Sequence, residues 1–566
     1  MSPFRRLVIL GSAIAVVAAC SSSAPPSTLQ EEAPAHAGHG SAEGVAERRA
    51  LLGNLGSFGR KIQTSSAEAQ QFFDEGLTLL YGFNHDESFR SFARAAALDA
   101  RAPMPHWGMA LALGTNINDA APAERIAKAY THLAAAQARA ANGSPVEQAL
   151  IAALAKRYVE KPEGDQLPRE QAYSDAMGEV AKRYPDDPDV ATLYAESLMN
   201  LRPWRLYDKD GTPEPGTDTI VATLERVMAV HPEHPGANHY YIHAVEASKN
   251  PGRASAQAER LETLVPGAGH LVHMPAHIYI RTGHYERSAK SNAAAARVDE
   301  QYFKKAGQEG MYPVMYYGHN LQFESAAAMF AGRYAEARKA AKQTVELVDP
   351  IGDASPMLEP YALQDAWVAL RFGRWDEALT VKVPVSTRTV QAALAHYVRG
   401  VALAEQGKLD EAGQARQALQ AAAAGVPEDL MISATNRGRA LLDVAAADLD
   451  GRIATARKDT PSAVAAFTRA VDAEDRLLYN EPPDWLLPER ERLGAVLLAA
   501  GRAPVAESVF RKDLERNVAN PRSLFGLWKA LESQKKPEAA EARAAFESAW
   551  KSADVTLDAG LHGAPR

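Results

Sequence analysis

Histidine is the residue this chain concentrates. Eight of its sixteen histidines fall within residues 231–286. Residues 231–246 read HPEHPGANHYYIHAVE, and residues 268–286 read AGHLVHMPAHIYIRTGHYE. His239 and His243 are four apart, so on a helix they share a face, and Glu246 follows one turn on. His270, His273 and His277 are spaced by three and four and share a face if that run is helical. Pro275 removes a backbone donor from a helix interior. The spacing therefore predicts a helix that starts near His273 or Met274, with Pro275 in its first turn and His270 on the approach.

Clustered imidazoles and carboxylates without thiolate suit Zn, Cu, Ni or Fe. Thiolate ligation has only Cys20 to draw on, because the chain has a single cysteine. Met274 could add a soft ligand, although a methionine at helical spacing is commonly core. The spacing H-x-x-x-H differs from the zinc-protease H-E-x-x-H, since Tyr240 stands where that motif carries its general-base glutamate. Glu246 and Glu359 are acid–base candidates without an assigned partner. Singly, each histidine is read as a buried structural residue or a contact for a bound peptide; the group is read as a metal site.

The elements that must hold these residues are helices. Alanine is abundant and aromatics make up 7% of a 566-residue chain that is 46% hydrophobic, which favours close-packed helices over sheets. From about residue 66 the pattern alternates helix, turn, helix. Four later segments carry one punctuation: GHYERSA from Gly283, GRYAEA from Gly332, GRWDEA from Gly373 and GKLDEA from Gly407. In each, a glycine closes one helix and an acid and an alanine open the next. Gly373 and Gly407 are 34 residues apart. The segment GRAPVAESVF from Gly501 continues the pattern, and Phe72, Gly76 and Phe92 supply aromatic and small positions earlier in the chain.

This punctuation resembles that of tetratricopeptide repeat (TPR) proteins. The resemblance implies an all-α helical solenoid of antiparallel helix pairs over residues 65–555, with first helices lining a concave groove that holds a protein or peptide partner. Residues 161–170, 203–219 and 480–485 depart from the pattern and are expected as loops that either cover the groove or decorate an edge.

Counting back from the helix-closing glycines compares heights along the groove. His270 and His319 each lie 13 residues before a glycine, Gly283 and Gly332. Taking the helix of His239 to end near Asn250 puts His239 beside His273 and His243 beside His277, within about 1.5 Å. His239, His243, His270, His273, His277 and His319 are thus predicted to converge as metal ligands. Glu246, Glu359, Tyr240 and Asn320 are the expected supporting partners.

The N-terminus reads as a targeting segment. Arg5 and Arg6 precede an apolar run at residues 7–17 that is too short to span a membrane. It ends Val-Ala-Ala-Cys20, which resembles the lipobox of bacterial lipoproteins. That resemblance implies cleavage after residue 19, acylation of Cys20 and, with Ser21 following, an outer-membrane lipoprotein facing the periplasm. Loss of Arg5 and Arg6 would take the net charge from −8 to −10. That charge gives no ground for a nucleic-acid partner. Residues 20–64 are rich in Ser, Ala, Pro and Gly and are expected as a disordered tether; residues 556–566 are expected as a disordered tail. The expectation is a lipid-anchored interaction scaffold with a histidine-lined, metal-binding groove. The alternative is a metalloenzyme or metal carrier that uses the same histidines as its active site.

Overall fold

Gly283, Gly332, Gly373, Gly407 and Gly501 all adopt left-handed φ values between 64° and 79°. Each closes a turn between two helices, as the repeated punctuation requires. The computed structural model describes residues 50–307, 312–384, 388–558, 560–561 and 563–565. The expected signal peptide, Cys20 and the tether up to residue 49 lie outside the described residues.

The array begins with α1 (Ala67–Tyr81), α2 (His85–Leu98), α3 (Met104–Ala112), α4 (Ala123–Arg139) and α5 (Pro145–Leu154). Next come α6 (Leu167–Arg183), α7 (Pro188–Met199), α8 (Thr217–Val230) and α9 (Pro235–Val245). The middle holds α10 (Ser255–Leu264), α11 (Gly269–His273), α12 (Pro275–Arg281), α13 (Tyr285–Ala306), α14 (Gly318–Phe330) and α15 (Tyr334–Val348). There follow α16 (Gln364–Arg371), α17 (Trp375–Ala378), α18 (Thr389–Glu405), α19 (Leu409–Ala424), α20 (Gly438–Ala456) and α21 (Thr460–Glu474). The array ends with α22 (Glu489–Ala499), α23 (Ala503–Arg516), α24 (Pro521–Ser533) and α25 (Ala539–Ala549).

Helices joined by short turns pack as antiparallel pairs: α1 on α2, α14 on α15, α18 on α19 and α20 on α21. The architecture is an all-α, TPR-like helical solenoid of antiparallel helix pairs. Packing inside a pair follows the small-and-aromatic pattern. A side chain at Gly76 of α1 would begin 2.8 Å from the Phe92 ring of α2. Phe92 in turn packs on Phe73, with ring centres 5.2 Å apart. Among the described residues no helix is long and apolar enough to cross a membrane.

Two expectations about the chain ends are corrected. Residues 50–64 are held against the helices rather than free. Leu55 and Ile62 are buried, and Gly267 donates its backbone N–H to the Asn54 carbonyl. Arg60 reaches Asp187 at 2.7 Å and Asp189 at 2.9 Å. Their partners lie more than a hundred residues on, so composition alone could not show them. At the other end, β1 (Val555–Leu557) pairs antiparallel with β2 (Gly563–Pro565) where a free tail was expected.

Candidate metal centre

Helix α9 starts at Pro235, whose fixed φ and missing N–H suit a first turn. His234 caps it by accepting from the Ala237 N–H at 3.1 Å. Gly236 lets α9 approach α1: a Cβ there would sit 2.5 Å from the Tyr81 ring. That approach brings the Tyr81 carbonyl to His239, whose Nδ1–H donates to it at 2.6 Å. His243 follows one turn on. Helices α11 and α12 run on through Met274, which keeps right-handed helical dihedrals. The run therefore starts at Gly269, earlier than expected, and His270 is helical rather than on the approach. The helix tolerates Pro275 because the bond it removes falls at the joint between two short helices. His319 is the second residue of α14, directly after a π-helical turn at Pro313–Tyr317.

The six histidines meet. Ring centres lie 4.9 Å apart for His239–His243 and His239–His270. They lie 4.6 Å apart for His273–His277 and 4.8 Å apart for His273–His319. The lateral register differs from the count. His243 does face His277, at 5.4 Å. His239 faces His270 instead of His273, however, and His319 faces His273 instead of standing level with His270. Helix α9 also ends at Val245, short of the assumed Asn250, and counting from that end would set His239 level with His277, so offsets from helix ends do not give the lateral pairing. Pro251 already starts the following 3₁₀ turn, and proline cannot continue a helix.

Hydrogen bonds assign the tautomers. His239 Nδ1 is taken by the Tyr81 carbonyl. His243 Nδ1 donates to Glu246 Oε1 at 3.0 Å. His273 Nδ1 donates to Asn292 Oδ1 at 2.6 Å, and Asn292 in turn donates its Nδ2 to the Ser288 carbonyl, which fixes the amide. Each of these three rings is left with an unprotonated Nε2. His273 Nε2 points at His277 Nε2 across 2.7 Å, and His270 Nε2 stands 3.1 Å from His239 Nε2. His243 Nε2 and His270 Nδ1 are buried without a hydrogen-bond partner among the described residues. His277 Nδ1 lies 2.6 Å from Glu246 Oε2 and 2.8 Å from Glu481 Oε2. Neither oxygen lies along the N–H direction, so these contacts are ionic rather than aligned hydrogen bonds.

Burial governs the protonation of the cluster. It holds His239, His270 and His273 well below the usual imidazole range, with neighbouring histidines adding to the effect. It lowers His319 to about 3 and also lowers His243. At His277 burial acts in the same sense, but the carboxylates of Glu246 and Glu481 outweigh it and hold the ring up at about 10. Burial opposes the charge on Glu246 as well, yet His277 and His243 pull its carboxyl down to about 2. Glu481, buried beside that charge, is pushed upward.

The supporting partners expected from sequence separate. Glu246 is in place. Tyr240 packs its ring on Phe83, 5.7 Å centre to centre, and makes no hydrogen bond to the cluster among the described residues. Asn320 donates to Asp299 at 2.8 Å and makes no hydrogen bond to the imidazoles among the described residues. Glu359 is not at the site: it accepts from the Gln391 N–H at 2.7 Å, in the first turn of α18. Its carboxylate is taken up by the next helix instead. The partners that sequence reasoning missed are the Tyr81 carbonyl, Asn292 and Glu481. A backbone carbonyl leaves no sequence signal, and Asn292 sits in the helix after the histidines. Glu481 belongs to the 480–485 segment that departs from the repeat.

Two of the departing segments cover the site. Trp204 packs edge-on against His243 at 6.0 Å, and Glu481 reaches His277. Between them lies a cavity of about 130 Å³, bordered by His243, His270, His277, His319, Trp204 and Trp367. Three neutral imidazoles with an open position on this side could hold a metal that carries a water or a small ligand.

No protein-family model matches the chain, and no curated protein matches it. Among solved structures it is similar to a human IFIT1 dimer with PPP-AAAA, at 12% identity, 86% of this chain, 91% of that one and a TM-score of 0.31. It is also similar to the yeast Tom70 crystal structure, at 12% identity over 85% and 91% of the two chains, with a TM-score of 0.29. The Cut9–Hcn1 hetero-tetramer of the APC/C matches at 12% identity, 88% and 77% coverage and a TM-score of 0.29.

Proposed function

We propose that this protein binds a transition metal inside its helical solenoid through His239, His243, His270, His273, His277 and His319. The observation that carries the reading is the facing pair His273 and His277. Asn292 occupies Nδ1 of one ring and carboxylates crowd Nδ1 of the other, so two Nε2 atoms meet at 2.7 Å. A ring N–H of His277 can bridge the two by donating to the bare Nε2 of His273, and a metal ion would take the place of that proton when both rings ligate it. Nitrogens bound at ~2.1 Å to one tetrahedral ion stand ~3.4 Å apart, so each facing pair opens by a few tenths of an ångström when it ligates. An all-imidazole donor set with carboxylates behind it suits Zn, Cu, Ni or Fe.

A second reading, a metal-dependent catalyst acting on a small molecule, is favoured by the cavity against four of the six histidines. A cavity of that size takes a molecule no larger than a single ring. A peptide would have to bind elsewhere on the scaffold, since this chain's own Trp204 and Glu481 segments fill the groove here.

The test is metal analysis of full-length protein purified without a polyhistidine tag. The reading expects stoichiometric metal, lost when His273 and His277 are both changed to Ala in a chain that keeps its helical circular dichroism. Metal-free native protein that also fails to take up added Zn or Cu sinks it. For location, we propose anchoring through Cys20 by analogy with the lipobox. Cys20→Ala should move the protein from the membrane pellet to the soluble fraction, and a variant that still pellets would refute the anchor.

A further inference from the structure

Resting on that reading, we infer that the six histidines hold two metal ions side by side. His239, His243 and His270 take one, His273, His277 and His319 take the other, and the ions share a small oxygen-donor ligand from the cavity.

The first argument is grouping. Among the described residues, three imidazole donor atoms lie within 4.8 Å of one another only in these two triples. The second is charge. There are two separate pairs of facing nitrogens, His239–His270 at 3.1 Å and His273–His277 at 2.7 Å. His270 Nε2–H and His277 Nε2–H can each bridge its pair by donating to the facing Nε2, and one ion can take the place of only one of those two protons. The third is construction. Each triple takes two histidines four residues apart along one helical run and a single histidine from the next first helix along the array. His239 and His243 of α9 are joined by His270 of α11, and His273 and His277, flanking the α11–α12 joint, are joined by His319 of α14. The same construction thus recurs one step further along the array.

The carboxylate behind the site fits two cations. Glu246 places Oε1 on His243 of one triple and Oε2 on His277 of the other, at 3.0 and 2.6 Å. It therefore braces one ligand of each ion from a single side chain. Glu481 puts a second carboxylate on His277. Across the triples, His243–His277 and His270–His273 are 5.4 and 5.5 Å apart between ring centres. Rings so close hold two ions at the ~4 Å separation of two-metal sites, where a hydroxide or another small oxygen ligand can touch both. The cavity supplies the place, since it borders His243 and His270 of one triple and His277 and His319 of the other.

The experiment is stoichiometry with a spin count. Full-length apoprotein is titrated with Cu(II), and bound copper is measured after desalting. Two equivalents per chain are expected, with paramagnetic resonance far below two spins because adjacent Cu(II) ions couple. His270→Ala and His319→Ala should each retain one equivalent and show one full spin. One equivalent on the native protein, or two equivalents with two uncoupled spins, overturns the paired site and leaves metal binding standing. No bound copper overturns the paired copper site, and if added Zn is not taken up either, metal binding falls with it. Should either variant fail to fold, the native stoichiometry and spin count decide alone.

Discussion

A buried imidazole stays neutral because burial penalises its cation, and a neutral imidazole is also the form that coordinates metal. Five of the six clustered histidines are held low in this way. His277 is the exception because it alone faces two carboxylates. Orientation then depends on what each Nδ1 meets, and Asn292 makes the clearest test. Asn292→Ala removes the acceptor at 2.6 Å from His273. The ring is then free to rotate or change tautomer, and metal affinity should fall by about 10–100-fold in a chelator competition, as for other such partners. Asn292→Asp, which keeps an acceptor, should recover most of it. An unchanged Asn292→Ala affinity would mean that this hydrogen bond does not orient the ligand. A second residue reports on pH and stands away from the cluster. Burial pushes the Glu196 carboxyl up to about 7, only partly offset by Arg157 and Asn200. A carboxyl raised in the folded state favours folding at low pH and loses that advantage as pH rises from its unfolded value through 7. Glu196→Gln should therefore gain stability relative to the parent as pH rises from 5 to 8, followed by denaturant midpoints at several pH values. Equal midpoint differences at both ends of that range would show that Glu196 is already ionised at pH 5. The i, i+4 histidines were legible in the sequence because helical periodicity alone places them together. The braces were not: one is a backbone carbonyl, and Glu481 arrives from more than 200 residues away through a loop that periodicity does not describe.

Helix pairs were legible because their punctuation is local. The glycine that closes a first helix must turn left-handed, and that need is written at Gly332, Gly373 and Gly407 alike. What was not legible is where a helix without such a glycine stops, and α9 is the case in point. Its end at Val245 falls short of the assumed Asn250, and the pairing of the rings follows from how the helices pack rather than from offsets to their ends, so the count predicted the cluster but not the partners. Two glycines separate backbone strain from crowding. At Gly407, with φ 74°, a Cβ would meet nothing within 4 Å. Gly407→Ala should cost only the left-handed penalty, about 1–2 kcal/mol. At Gly332 the same Cβ would come within 2.3 Å of the Trp550 ring. Gly332→Ala must displace that buried ring as well and should destabilise clearly more, read as a larger drop in denaturant midpoint. Equal drops would show that Trp550 yields freely and that its packing on the Gly332 turn is loose.

An ordinary solenoid holds together through neighbouring repeats, and its ends can melt without its middle. Here the C-terminal helices return to the middle of the array. Tyr285 donates to the Val518 carbonyl at 2.8 Å across 233 positions. Arg371 and Glu491 form a buried bidentate pair at 2.6 and 2.9 Å. Asp554 accepts from the backbone N–H groups of Tyr334 and Ala335 at 2.7 and 2.9 Å. Arg522 of α24 is the centre of this return. Its guanidinium is fully buried and donates to three carbonyls from three parts of the chain: Met329 at 3.2 Å, Arg371 at 3.0 Å and Leu561 at 3.1 Å. It also stacks on Phe372 and Trp550, 5.5 and 5.4 Å from their ring centres. Arg522→Met keeps much of the packing volume but leaves three buried carbonyls without a donor, each worth roughly 1–3 kcal/mol. Native protein should therefore unfold in one transition that includes its last helices. The variant should show an earlier, separate loss of α22–α25, together with new protease cuts between residues 500 and 550 at temperatures where the rest of the chain resists. A variant that still melts in one step, lowered as a whole, would mean that the Arg371–Glu491 pair and the Asp554 contacts suffice to couple the two regions. Unchanged melting and unchanged cuts would remove Arg522 from any part in joining them.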